Sequence, residues 1–205
     1  MTDCHCQGIH NFDKRYYSVD FTRTDHAKVA SAYGLKTWSV KKPKDLTSKQ
    51  TMILGTAGLT ALQCSFATKS AREELLLGEK VENVIVTGAS GGVGSISIMI
   101  LNKLGCNVTA VTSKESNKEY LKSIGAKNIT NTADLDKEAR PLDKGMWDGA
   151  VDTVGGNILS NVLSHIKETG IVAACGNASS IKLNTTVMPF IIRGIKLWGI
   201  NSVNT

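Results

Sequence analysis

The segment Thr87-Gly88-Ala89-Ser90-Gly91-Gly92-Val93-Gly94 constrains this chain more than any other. It follows a short β-branched run, Val84-Ile85-Val86, and opens a stretch in which Ile96, Met99, Ile100 and Leu104 recur at helical spacing. A strand that runs through a glycine-rich turn into a helix is the context in which such a turn holds a dinucleotide. Gly88 permits the tight turn, Gly91 and Gly92 let the backbone approach a pyrophosphate, and Gly94 lets the helix lie against the strand. The amides at the helix start then point at the anion, with Ser90, Gly91, Gly92 and Val93 as the candidate contacts.

The same alternation continues downstream. Val108–Val111 reads as a second strand, Asn128–Thr130 as a third, Ala150–Asp152 as the start of a fourth, Ile171–Cys175 as a fifth and Ile195–Ile200 as a sixth. Helices are expected between them. One is capped by Ser113 or Ser116 and closed by Gly125; another carries the stripe Ile158, Leu159, Val162, Leu163 and Ile166. Residues 132–146 read as a charged loop. Upstream, Thr56 or Thr60 caps a helix through Ala67 that frays in Lys69–Glu74, after a shorter one capped by Thr47 or Ser48 and interrupted by Gly55–Gly58. A short strand at Trp38–Val40 precedes a turn at Pro43, and residues 1–35 show no sustained period. Parallel strands need crossover helices, so the expected fold class is α/β, a Rossmann doubly wound sheet of six parallel strands. Residues 46–205 form its nucleotide-binding domain and residues 1–45 an N-terminal segment that is either irregular or the remnant of a further domain.

At the end of the second strand an NAD-binding domain usually presents an acid to the ribose hydroxyls. This chain instead reads Val111-Thr112-Ser113-Lys114-Glu115. Thr112 and Ser113 supply hydroxyl donors and Lys114 a cation for a 2′-phosphate, while Glu115 falls at the start of the next helix, where an acid is favourable. The expected cofactor is therefore NADP. The net charge of +6 is spread in small clusters such as Lys114, Lys118 and Lys122, which suits anionic small molecules. Aromatic residues make up only 5% and no nucleic-acid motif accompanies the charge, so nucleic acid is not an expected partner. No apolar run is long enough to span a bilayer and the first ten residues lack the features of a secretory signal, a pattern that reads as cytoplasmic. Cys64, Cys106 and Cys175 read as small buried residues; Cys4, His5, Cys6 and His10 lack the spacing of a structural zinc site, so no metal is expected.

The glycine turn also fits short-chain dehydrogenases, but Tyr120 has Ile124 where a catalytic lysine would follow, and no tyrosine lies further on. From about Trp38 onward the chain instead resembles the zinc-free acryloyl-CoA reductase and quinone oxidoreductase branch of the medium-chain dehydrogenase/reductase superfamily. The matching segments are Met52–Ala61 (MILGTAGLTA), Val86–Ser95 (VTGASGGVGS), Glu119–Ala126 (EYLKSIGA), Asp152–Gly155 (DTVG), Val172–Gly176 (VAACG) and Thr185–Arg193 (TTVMPFIIR). The resemblance implies NADPH-dependent reduction of an activated carbon–carbon double bond, with an acyl-CoA or, alternatively, a quinone as substrate. It places Asn177, Ile191 and Ser202 at cofactor-contacting positions, largely through backbone groups. Asn128 stands where the family has a basic residue near the adenosine phosphate, with Lys127 as a partial substitute. Asp152 and Thr153 are read first as caps of the next helix, Gly55–Ala61 equally as a helix start and as an approach to the nicotinamide, and Arg193 first as an ordinary surface residue and second as a contact for a CoA phosphate. The catalytic residues are unassigned. Family members carry a substrate domain on either side of the sheet, most of which is missing here. The resemblance thus leaves two expectations: a reductase impaired by truncation, or a non-catalytic nucleotide-binding remnant. The apolar edge Ile195–Ile200 invites pairing into a homodimer.

Overall fold

The chain divides into two units, Met1–Leu46 with Asn201–Thr205, and Thr47–Ile200. The computed structural model describes residues 55–75 and 80–202. The expected elements at Trp38–Val40, Pro43 and Thr47 or Ser48 lie outside the described residues, as does the Cys4–His10 group.

Six parallel strands form one sheet: β1 (Asn83–Val86), β2 (Asn107–Thr112), β3 (Ala126–Asn131), β4 (Trp147–Asp152), β5 (Ile166–Ala174) and β6 (Lys196–Gly199). Their spatial order is β3-β2-β1-β4-β5-β6, so the chain reverses its direction of winding between β1 and β4. This is the Rossmann arrangement expected from the alternation of elements. Side chains alternate across the sheet, and both faces are covered. Val84, Val86, Val108, Ala110 and Val151 face a core shared with Cys64, Ile98, Leu101 and Leu121. Ile85, Val111, Ala150 and Val172 face a second core with Ile158, Leu159, Val162 and Leu163. The first layer carries α1 (Thr56–Leu75), α2 (Gly92–Lys103) and α3 (Lys118–Ser123); the second carries α4 (Thr132–Leu135), α5 (Gly156–Ser164) and α6 (Met188–Arg193). Burying each large aliphatic contributes about 1.5–3 kcal/mol, so apolar contact is the main force holding the helices on each face.

Several boundaries differ from the expected ones. Helix α1 runs unbroken through Gly58 and on to Leu75. Its buried face is built from Thr60, Ala61, Cys64, Ser65 and Thr68, small and hydroxyl-bearing residues that give a weak apolar period. Ser65 Oγ donates to Ala61 O at 2.7 Å, and Thr68 Oγ1 reaches both Cys64 O at 2.8 Å and Ala150 O on β4 at 3.1 Å. Neither Ser113 nor Ser116 caps α3, which is entered through a 3₁₀ turn at Glu115–Asn117. Within the expected loop at 132–146, α4 forms because Asn131 Oδ1 accepts the Ala133 N–H at 3.0 Å. Strand β5 starts at Ile166 rather than Ile171. Its partner changes from Trp147↔Ile166 to Gly149↔Ile171, and the intervening polar residues, with Thr169 at φ 57°, leave the ladder as a bulge.

Arg193 is not an ordinary surface residue. Its guanidinium donates to Ser164 O at 2.9 Å, to Ile166 O at 2.8 Å and to Asp143 O, tying α6 to the amino end of β5. These bonds commit Arg193 to the fold, at the end of the sheet opposite the glycine turn.

Candidate nucleotide site

The glycine turn leaves the carboxyl end of β1 where the winding reverses, the position at which open α/β sheets bind ligands. Gly88 has φ 57°, and a Cβ there would collide with Thr153 Oγ1 on the neighbouring strand end. The Gly91 N–H closes the turn on Gly88 O at 2.9 Å. Gly91 then caps α2 without a side chain, so the amides of the first helical turn have no side-chain acceptor. Ser90, Gly91 and Gly92 are exposed and Val93 is half-buried. Ala57, in the first turn of α1, stands beside Gly92, where an added Cβ would lie 3.3 Å from the Ala57 Cβ.

Beneath the turn, β1 and β4 are latched. Thr87 Oγ1 donates to Asp152 Oδ1 at 2.6 Å and accepts the Thr153 N–H at 3.1 Å, while Thr153 Oγ1 donates to Thr87 O at 3.1 Å. Asp152 Oδ2 accepts the Gly155 N–H at 2.9 Å, so the expected capping role describes one half of a larger brace. Asp152 is wholly buried. Burial pushes its carboxyl above the usual range, against the opposing pull of the Thr87 hydroxyl and the Gly155 and Val154 N–H groups. Thr87 escapes sequence reading, although a polar residue ending an apolar strand directly before the glycine turn is a usable signal. The loop after β5 extends the ladder: Cys175 N–H reaches Asp152 O at 2.9 Å and Ser179 N–H reaches Val154 O at 2.8 Å.

A cavity of about 280 Å³ opens beside the turn, over the carboxyl ends of β1, β2 and β4. Thr87, Gly88 and Ser90 form one side, and Thr112, Ser113 and Lys114 another. Val111, Val154 and Ile158 supply apolar surface, and Thr132, Asp136, Ala178 and Ser179 complete the lining. Four of the expected contacts, Ser90, Thr112, Ser113 and Lys114, thus meet in one cavity. Gly91, Gly92 and Val93 continue the turn outside its lining. Asn177 is exposed, one residue before the lining Ala178. Ile191 is 70% exposed on α6 and does not line the cavity. Ser202 belongs to the other unit, and its role rests on the resemblance alone. Asp136 and the apolar trio were not picked out by the sequence.

The Lys114 N–H is held by Thr112 Oγ1 at 3.2 Å, and Glu115 is taken up by Lys118 at 2.7 Å. Lys127, the expected partial substitute for a basic residue at Asn128, does not line the cavity. Its ammonium donates to Asn107 Oδ1 at 2.9 Å, at the amino end of β2 and away from the cavity.

A family model described as zinc-binding dehydrogenase matches residues 92–205, more than half of the chain. The chain belongs to the zinc-binding dehydrogenase family. Within this family, and within the medium-chain dehydrogenase/reductase superfamily, strong similarities fall in the branch expected from the motifs. The chain is 48% identical over 168 residues to an Escherichia coli protein named "Probable acrylyl-CoA reductase AcuI", covering 82% of this chain and 50% of that one. The yhdH oxidoreductase of Salmonella enterica, solved in complex with NADP, superposes with a TM-score of 0.71 at 47% identity, covering 82% of this chain and 50% of the other. Bacillus subtilis protein yhfP, solved with NAD bound, gives a TM-score of 0.68 at 41% identity, with 81% and 50% covered. The chain therefore spans about half the length of the relatives it matches. Zinc, which the zinc-binding dehydrogenase description names, finds no ligand set among the described residues, where no three His, Cys, Asp or Glu side chains come together.

Proposed function

We propose that this chain binds NADP(H) and forms the cofactor half of a reductase acting on the activated double bond of an acryloyl-CoA-like thioester. The reading is carried by the uncapped start of α2, set at the winding reversal and opening beside a cavity that holds Ser113 and Lys114 where an NAD site would hold an acid. The bound NADP of the Salmonella relative and the name of the Escherichia coli one support it. When bound, the nicotinamide supplies the hydride. The chain's own residues hold the pyrophosphate at Ser90–Val93, grip the 2′-phosphate with Thr112, Ser113 and Lys114, and contribute backbone contacts from Asn177 and Ile191. Residues 46–205 constitute the cofactor domain. The edge strand β6, with Trp198 half exposed, pairs with a second copy, and the protein works in the cytoplasm. Among the described residues no helix is long and apolar enough to cross a membrane.

A charge-assisted bond to phosphate is worth about 1.5–3 kcal/mol, so NADPH is expected to bind at least about tenfold more tightly than NADH in a fluorescence titration. Lys114→Ala should erode that preference and Lys127→Ala should leave it intact. Equal affinities for the two cofactors in the wild type would refute the 2′-phosphate assignment, which matters because the Bacillus relative was solved with NAD. Following NADPH absorbance with acryloyl-CoA and with a quinone identifies the acceptor. Tight binding with no turnover on either substrate would mark the chain as a nucleotide-binding module.

A further inference from the structure

The cavity carries two side chains of opposite charge, and the 2′-phosphate reading uses only one. Lys114 comes from the end of β2; Asp136 comes from the segment after β3, at the carboxyl end of α4. Asp136 is held in that wall from behind. The side chain of Asn161, itself only 2% exposed, donates to Leu135 O at 2.9 Å and to Lys137 O at 2.6 Å, clamping the backbone on both sides of the acid. Asn157 Nδ2 meets Asp136 Oδ1 at 3.5 Å, and the carboxylate is exposed, so it keeps acceptor capacity for a further donor.

A carboxylate cannot be there to meet a phosphate, since like charges at close range repel. It calls for a hydrogen-bond donor on the ligand. With the pyrophosphate at the glycine turn and the 2′-phosphate at Lys114, the apolar surfaces of Val111, Val154 and Ile158 remain for a flat ring, and the wall formed by Thr132 and Asp136 for that ring's polar edge. On an adenine that edge carries an exocyclic amine, a donor that a carboxylate matches. We infer that Asp136 accepts the amine of the purine and makes the site selective for 6-aminopurine over 6-oxopurine dinucleotides, an inference that rests on the NADP(H) reading above. A keto oxygen in the amine's place would face the carboxylate acceptor to acceptor. That mismatch is worth about a factor of ten at an exposed group, well short of what a fully buried site achieves.

The test compares NADPH with reduced nicotinamide hypoxanthine dinucleotide phosphate by fluorescence titration. The wild type is expected to favour NADPH by about tenfold. Asp136→Asn, whose amide both donates and accepts, should bring the two affinities together by strengthening the hypoxanthine form. Asp136→Ala should level them by weakening NADPH. Lys114→Ala should lose discrimination between NADPH and NADH while keeping the preference for the amine. Equal wild-type affinities for the two purines would overturn the role of Asp136 and leave NADP(H) binding standing. So would an Asp136→Ala variant that weakens both ligands alike, since an acid reading the ribose or only shaping the wall would do that. No wild-type binding of NADPH would instead sink the underlying function.

Discussion

Replacing Gly94 with alanine is expected to cost this protein its cofactor. A Cβ on Gly94 would sit 2.9 Å from Ala89 Cα and 2.9 Å from the Gly88 carbonyl carbon, and closer still to Gly88 O. Every one of these atoms is backbone, so no side chain can swing aside. Either α2 lifts from the end of β1 or the turn deforms, and overpacking of this kind costs about 1–3 kcal/mol of stability. The larger loss falls on the ligand. Amides that approach the pyrophosphate each contribute about 1.5–3 kcal/mol, and misdirecting two of them lowers affinity by about a hundredfold or more. Gly105→Ala is the control. Its φ of 85° also disfavours a side chain, yet an added Cβ meets nothing within 4 Å, and Gly105 lies at the far end of α2. That variant should lose about 1–2 kcal/mol of stability in urea and bind NADPH normally. A Gly94→Ala protein that titrates NADPH like the wild type would show that the turn is not the cradle.

What could be read in advance follows from which signals are local. The glycine turn, the β-branched strands and the stripe on α5 are each encoded within a dozen residues, and strand–helix alternation with short connections leaves few topologies open. Features that depend on which strands become neighbours were hidden. Thr87 and Asp152 meet because β4 takes the place beside β1, a pairing across 65 residues that neither segment announces. Lys127 misled for a related reason. The resemblance drew notice to its sequence neighbour Asn128, but the Lys127 side chain runs to the amino end of β2. On α1 the buried face is Thr, Ala, Cys and Ser, so the apolar period that ordinarily marks a helix is faint, and the charged residues from Lys69 onward looked like its end. Gly149 completes that contact from the sheet side, since a Cβ there would collide with Thr68 Cγ2. Asp136 was passed over because an acid in a charged stretch has no distinguishing mark until the wall of the cavity forms.

Asp152→Ala is expected to produce the largest loss of stability of any single change at the site. The substitution strips the acceptor from the Thr87 hydroxyl and from the Gly155 N–H, both buried, and an unsatisfied group of this kind costs about 1–3 kcal/mol. Relief from holding a desolvated carboxylate offsets part of this, leaving about 2–4 kcal/mol out of a total that for such domains is about 5–15 kcal/mol. Asp152→Asn separates the two contacts. Its carbonyl can still accept from Thr87, but its amide turns a donor toward the Gly155 N–H, so the variant should fall between the wild type and alanine. Aspartate and asparagine at this position also differ in their response to pH. Because burial raises the Asp152 pKa in the folded state, the fold favours the protonated form. That contribution is fully present below the ordinary carboxylate range and is lost as pH rises through the raised folded value. Asparagine does not titrate, so the stability gap between wild type and Asp152→Asn in urea unfolding should narrow as pH is raised through that window. A gap that widens instead would mean that the hydrogen bonds from Thr87 and the backbone overcome burial and hold the carboxylate charged. The brace would then be an anion fixed under the winding reversal, where its charge would oppose the pyrophosphate that the glycine turn is shaped to receive.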